Sequence, residues 1–170
     1  LQQSPAPTVD LSGPTQLDFV VSRGPEQAKV KVPDLVGLSL QDAALQIEKS
    51  GIAFQFTVKT PEGRERPGTV VAQLPAPGTL EDPLAPVSIV YAVTPKTEGI
   101  VTGLFSQPLP EYPYPLKTVL YAEPPAGARI PLLTVDHPGR LFTMAYAVPD
   151  GSVLVLQVLN KVVARVEAGR

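Results

Sequence analysis

The chain has 170 residues, a hydrophobic fraction of 44% and a formal charge of −2, so it holds enough apolar content for a core in one large domain or about two or three small ones. The slight negative charge and the absence of any Lys/Arg cluster exclude a nucleic-acid surface, and the lack of cysteine excludes disulfides, cysteine-ligated zinc and thiol catalysis. No apolar run approaches the ~20 residues needed to cross a bilayer, so no membrane insertion is expected of these residues.

There are 21 prolines, roughly twice the average share. They are spread between apolar runs, a pattern of many short strands joined by rigid turns. The first element raises a repeat. QSPAP at 3–7 returns as QLPAP at 73–77. The same slide of seventy lays Leu17, Phe19 and Val21 on Val87, Ile89 and Tyr91. Bulk at alternate positions is the period of a half-buried strand, and a repeat of this length suggests an array of small modules with atypical end copies. Residues 1–23 are therefore expected to be the C-terminal part of a preceding module, in a chain that is a piece of something longer, with 24–29 as a linker.

The complete copy begins at Val30. Ser39 is a candidate N-cap, with Asp42 three residues on as a short capping box. Leu40, Ala43, Ala44 and Ile47 keep helical spacing on one stripe, and Gly51 is placed to end the helix. IAFQFTVKT alternates Ile52, Phe54, Phe56 and Val58 and reads as a strand. PEGRERPG is a turn-rich loop, TVVAQL a second strand, PAPGTLEDPLA a long turn and PVSIVYAV a third strand. Pro75 and Pro77 fix backbone φ and remove two donors at a sheet edge, while Gly78 permits a turn conformation closed to other residues. In the first copy Thr8 takes the glycine's place.

In order, VPDLVG, the capped helix, its closing glycine, GTVVAQLPAPGT and PVSIVYAV resemble a PASTA domain over residues 30–93. This is the small helix-plus-three-strand module of the extracytoplasmic regions of bacterial Ser/Thr kinases and some penicillin-binding proteins. The resemblance implies an α+β fold, one helix on a three-stranded sheet, in tandem with the preceding partial copy. It further implies a bacterial cell-envelope setting and peptidoglycan fragments (muropeptides) as partners. In the kinases, such binding is linked to self-association and activation.

After Val93 the pattern changes. Residues 94–115 are expected to be a linker: SQPLPEYPYPLK is taken as an extended joining segment in preference to a proline-rich recognition ligand. Four strand-like runs follow, KTVLYAE, RLFTMAYAV, SVLVLQVL and KVVARVE, with turns at PDG (149–151) and at Asn160-Lys161. No helix start signal occurs. Residues 116–170 are expected to form a small all-β, sandwich-like domain, making the chain β-dominated. In pattern it is similar to the immunoglobulin-like cap after the PASTA array of some Gram-positive kinases, though with fewer strands than the seven of a full immunoglobulin fold.

No catalytic constellation emerges. His137 is the sole histidine, and VDHPGR reads as a turn with a solvated imidazole. No nucleophile elbow, kinase signature or phosphate loop is present, so no enzyme, no cofactor and no metal are expected. Two groups remain as ligand-binding candidates. Glu62, Arg64, Glu65 and Arg66 in EGRER can recognise a charged peptide or a glycan carboxylate, or serve as a solvated loop that keeps a sheet edge from pairing. Tyr112 and Tyr114 can stack on a sugar ring or pack between modules. The functional expectation is a binding and sensor region for peptidoglycan fragments coupled to a membrane-anchored kinase. The alternatives are a non-binding spacer or an accessory region of a penicillin-binding protein.

Overall fold

Residues 28–95 and 97–169, with the backbone of 2–4 and 18–20, are described by the computed structural model. Its helix, α1, spans Leu40–Ser50. The Ser39 hydroxyl accepts from the Asp42 amide at 3.2 Å and donates to the Asp42 carboxylate at 2.7 Å, satisfying a donor that a helix start otherwise leaves orphaned. Gly51 ends the helix at φ +64°, donating its N–H to the Ile47 carbonyl at 3.1 Å. Ala43, Ala44 and Ile47 are buried and Leu40 is half-buried, so the stripe seen in sequence is the packed face.

Three strands complete the module: β4 (Phe54–Lys59), β5 (Thr69–Leu74) and β7 (Val87–Ala92) lie in the order β4-β7-β5. The central strand runs parallel to β4 and antiparallel to β5. Phe54, Phe56, Val70, Val87, Ile89 and Tyr91 are buried on one face, while Thr57 and Ser88 are exposed on the other. Full burial of each large side chain stabilises by roughly 1.5–3 kcal/mol. The short strands β3 (Val30–Lys31) and β6 (Leu80–Glu81) pair antiparallel. Gln73 explains the glutamine of the repeated phrase: its Oε1 accepts from the Leu35 amide at 2.7 Å, and its Nε2 donates to the Pro33 carbonyl at 2.9 Å. The VPDLVG loop has no sheet partner for these groups, so a side-chain amide takes that place. Gly78 sits at φ +84° with its N–H donating to the Val32 carbonyl at 2.9 Å.

Near the N-terminus, β1 (Gln2–Ser4) and β2 (Asp18–Val20) pair antiparallel as Gln2↔Val20, Gln3↔Phe19 and Ser4↔Asp18. Adding 70 to each number gives Ala72↔Val90, Gln73↔Ile89 and Leu74↔Ser88, the register of β5 on β7. The turn at Thr8 lies outside the described residues.

The second unit is built from β8 (Ile100–Glu123), β9 (Ile130–Pro149), β10 (Val153–Val158) and β11 (Lys161–Glu167), a sheet of order β11-β10-β8-β9. A straight strand of 24 residues would be about 80 Å long. It is instead creased. The β8–β9 ladder runs through Leu109↔Arg140 and Glu111↔Gly139, then jumps to Leu116↔His137, leaving 112–115 without partners. Beyond the crease the strands double back. Pro149 pairs with Ile100 at the start of β8, yet Val153 pairs with Glu123 at its end. The Asp150 amide donates to the Gly99 carbonyl at 2.9 Å, and a Cβ on Gly151 would lie 3.2 Å from Pro125 in the hairpin tip. One sheet thus folds over itself into two layers, which makes the all-β unit sandwich-like.

The stretch expected to be a linker, 94–115, is therefore strand from Ile100 onward. Its prolines misled because proline removes a ladder donor; here β10 pairs only with 118–123 of β8, so the earlier half has a neighbour on one side alone. Prolines are tolerated at such an edge and at a bulge. VDHPGR, expected to be a turn, lies within β9. The β10–β11 turn is centred on Leu159 (φ +48°) and Asn160 (φ +65°), one residue earlier than expected, because a two-residue hairpin turn of this kind needs positive φ at both central positions.

The two units share one hydrophobic cluster. β4 is an edge strand, and β9 lies along it: the Phe56 amide donates to Thr143 Oγ1 at 2.7 Å, and the Phe54 and Phe142 rings meet edge-to-face at 5.9 Å. α1 also rests on β9. Among the described residues no helix is long and apolar enough to cross a membrane.

Candidate functional site

The charged loop follows the C-terminal end of β4. Lys59 Nζ lies 3.1 Å from Glu65 and 3.6 Å from Glu62, and the second Glu65 oxygen accepts from the Glu62 amide at 2.9 Å. That amide, then Lys59, holds the Glu65 carboxyl below its usual range, while the hydrogen bond to Glu65 raises Lys59. Both acids are therefore engaged with Lys59. Arg64 and Arg66 are exposed, and among the described residues neither makes an ion pair. Arg66 helps the turn through its carbonyl, which accepts from Thr69 Oγ1 at 2.8 Å.

The two tyrosines stand on the crease. Tyr114 is 65% exposed. Tyr112 is half-buried and lines a cleft of about 260 Å³ where the module meets the creased sheet. Ala53, Phe54, Leu84 and Pro86 come from the module; Glu111, Tyr112 and residues 137–141 come from the crease. The cleft opens at the start of β4 and the charged loop follows its end, so the span of the strand, roughly 17 Å, separates the two candidate groups. The structure brings Tyr112 into the cleft and leaves Glu62, Arg64, Glu65 and Arg66 outside it.

Two residues that the sequence reading did not select shape the cleft. Arg140 meets Glu111 at 2.6 Å across its rim, with both side chains largely exposed. The carboxylate raises the Arg140 pKa. His137, expected to be a solvated turn residue, is only 2% exposed. Its ring packs edge-on against Phe54 at 5.7 Å and Phe142 at 5.2 Å, and its Nδ1 accepts from the Gly139 amide at 3.2 Å. Burial pushes its pKa down to about 4, so the imidazole is neutral at physiological pH. A signal was present: Leu133, Val135 and His137 alternate along one strand and are all buried, which is the half-buried period continued through the histidine.

The crease itself depends on Gly139. At φ +92°, a Cβ there would stand 1.9 Å from the Pro110 carbonyl oxygen, a separation no L-residue accommodates without moving backbone. Among the described residues no group of three or more His, Asp or Glu side chains converges as a metal site. No buried side-chain nitrogen or oxygen among them lacks a hydrogen bond. Besides its apolar walls, the cleft is lined by Gln55, Tyr112 and the Arg140–Glu111 pair.

Comparison with known proteins agrees for the module. The family profile described as PASTA domain matches residues 30–92. A protein of Borreliella burgdorferi described as uncharacterized is 23% identical over 163 residues, covering 96% of this chain and 50% of its own length. The chain thus spans about half the length of that curated relative. The extra-cellular region of the Ser/Thr kinase PrkC from Staphylococcus aureus is 16% identical with a TM-score of 0.35, over 83% of this chain and 51% of that one. A TM-score at that level does not establish a shared arrangement.

Proposed function

With residues 30–92 a PASTA domain, we propose that this chain is an extracytoplasmic binding and sensor region of a bacterial cell-envelope protein. Its ligand is a peptidoglycan fragment, and binding is coupled to a membrane-anchored Ser/Thr kinase. The observation that carries this reading is the cleft between Phe54, Leu84 and Pro86 of the module and Tyr112, His137 and Arg140 of the crease. A ligand there touches both units, and a ligand shifts a conformational equilibrium only through contacts that differ between states. The chain acts by binding and makes no bonds.

The module organisation goes with this function. Residues 1–23 are read as the last part of a preceding PASTA module and 24–29 as a linker; the register repeated at a spacing of 70 supports this. Arg64 and Arg66, unpaired among the described residues and remote from the cleft, form a second carboxylate-binding patch next to Glu62 and Glu65. Tyr114, exposed on the same crease, is a further stacking surface.

Titration of the isotope-labelled chain with a synthetic muropeptide tests the reading. Amide shifts at Ala53, Gln55, Gly139 and Arg140 are expected as ligand reaches the millimolar range. Absence of shifts anywhere at that concentration would favour a spacer. The spacer has its own support in the shared core, since the Phe56–Thr143 hydrogen bond joins module and sheet into a continuous body.

A further inference from the structure

Among the described residues, the first half of β8 and the whole of β11 each have a strand neighbour on one side alone. The sequence treats these two edges differently. The β8 edge carries Pro108 and Pro110, which cannot donate to an added strand. β11 contains no proline, and its Val162, Val163 and Val166 are exposed. The direction of its backbone groups is also fixed. The Ala168 amide donates to the Ser152 carbonyl at 2.9 Å, and bonded pairs alternate along an antiparallel ladder. Val166 and Ala164 therefore bond to Leu154 and Leu156 of β10, while the backbone groups of Arg165 and Glu167 point away from the sheet. Val163 is the extra residue of a bulge, so the straight part of this edge runs from Ala164 to Glu167.

We propose that β11 pairs antiparallel with β11 of a second copy of this chain, joining the two sheets edge to edge. A two-fold axis normal to the sheet keeps each side chain on its own face, so facing residues are separated by an even number of positions. Charge then selects the register. Centred on Ala164, the ladder runs back into the bulge at Val163. Centred on Arg165, it sets guanidinium against guanidinium, which is destabilising. Centred on Val166, it sets Arg165 against Glu167 of the second copy on both sides of the axis, with Val166 against Val166 between them. In this register Arg165 and Glu167 exchange the backbone bonds that their outward groups offer. Arg165 already meets Glu123 at 2.5 Å, and Glu123 meets Arg129 at 2.8 Å. The guanidinium has donors for two carboxylates at once, so the incoming Glu167 extends this chain of ion pairs. So short an edge offers less than the ~1,200 Å² of a stable complex. Pairing is therefore weak between free chains and gains from anything that holds two of them side by side. No residue of β11 lines the cleft, so the contact is independent of a ligand there.

The test uses the full chain, which has no cysteine of its own. Val166→Cys places a thiol beside the two-fold axis, where facing Cβ atoms are about 4.5 Å apart and within reach of a disulfide. Val162→Cys is the control: Val162 is 49% exposed against 39% for Val166, but it does not face itself across the axis. Under mild oxidation at millimolar chain, Val166→Cys is expected to form a disulfide-linked dimer at least about tenfold faster than Val162→Cys. Adding Arg165→Glu to the Val166→Cys chain, or adding Glu167→Arg, sets like charges opposite each other on both sides of the axis. Each is expected to slow the cross-link about fivefold. A mixture of these two double variants brings opposite charges face to face again and is expected to recover the rate to within about twofold. Equal rates for the two single cysteine variants overturn the proposal, and so does a mixture no faster than either double variant alone. Circular dichroism shows whether a charge reversal has unfolded the sheet, and in that case the comparison of Val166→Cys with Val162→Cys decides by itself.

Discussion

The PASTA domain and the creased sheet both cover an apolar face, but they do so with different kinds of information. In the module, each boundary is fixed by a group within a few residues: Ser39 with Asp42, Gly51 with Ile47, and the Asp82 carboxylate with the Leu84 amide at 2.8 Å. In the sheet, the decisive contacts are distant in sequence. Gly139 passes against Pro110, Gly103 leaves room for the Tyr146 ring, and Tyr146 OH accepts from the Gly169 amide at 3.0 Å. Non-local contacts repay loop-closure entropy only once the chain is already folded back. The module can therefore be read residue by residue, whereas the sheet depends on a few positions that let backbone approach backbone.

The sharpest way to break that contrast is to add a methyl group at the crease. Gly139→Ala combines φ +92° with the contact to the Pro110 carbonyl and is expected to cost at least about 3 kcal/mol. In the module, Gly37→Ala has φ +83° but meets nothing within 4 Å, and about 1–2 kcal/mol is expected. Chemical denaturation of the two variants measures the difference. Equal losses would remove the crease from its central place.

Acid provides the next largest effect. His137 is depressed from its ordinary 6.5 to about 4 by burial, so between those values the unfolded chain binds a proton that the folded chain does not. Its contribution is fully present above pH 6.5 and is lost as pH falls towards 4, by about 3 kcal/mol in total. His137→Phe should flatten this part of the stability profile. Glu111 and Arg140 line the same cleft, and Asp136 precedes the histidine in the chain; subtracting the variant's profile cancels their titration to first order. A wild-type curve parallel to the variant's across this range would show that the histidine titrates normally.

The smallest effects compare one hydrogen bond of each kind. Thr143→Val strips the buried Phe56 amide of its acceptor, an expected loss of about 1–3 kcal/mol. Ser39→Ala removes a helix cap at about 1 kcal/mol. Hydrogen exchange should localise the second loss to the first turn of α1. The first should raise exchange in both β4 and β9. Confinement of the Thr143→Val effect to β9 would mean that the two units are energetically separate.

The candidate site divides in the same way. Tyr112 could be picked out because an aromatic among prolines is conspicuous, and the structure sets it in the cleft. Arg140 could not, since a lone arginine after glycine carries no local signature. His137 was hidden by its neighbours: Pro138 and Gly139 imitate a turn, while the alternation with Leu133 and Val135 that marks its burial spans a longer stretch. The linker expectation failed for a related reason. Proline density argues against a strand only where both sides of the strand are paired, and pairing on one side is a property of the sheet.

By itself, the sequence determined the capped helix, the strand runs of the module, the repeated phrase with its turn glycine, and the hairpin that ends the chain. These depend on φ preferences, capping groups and alternation, all of which act over a few bonds. Only the tertiary structure decided that 100–149 would be one long hairpin creased at 112–115, that β9 would seal the open edge of β4, and that His137 and Arg140 would share a cleft with Tyr112. Those outcomes turn on which backbone donors and apolar faces find partners after the chain has doubled back, and that selection is made by packing across tens of residues.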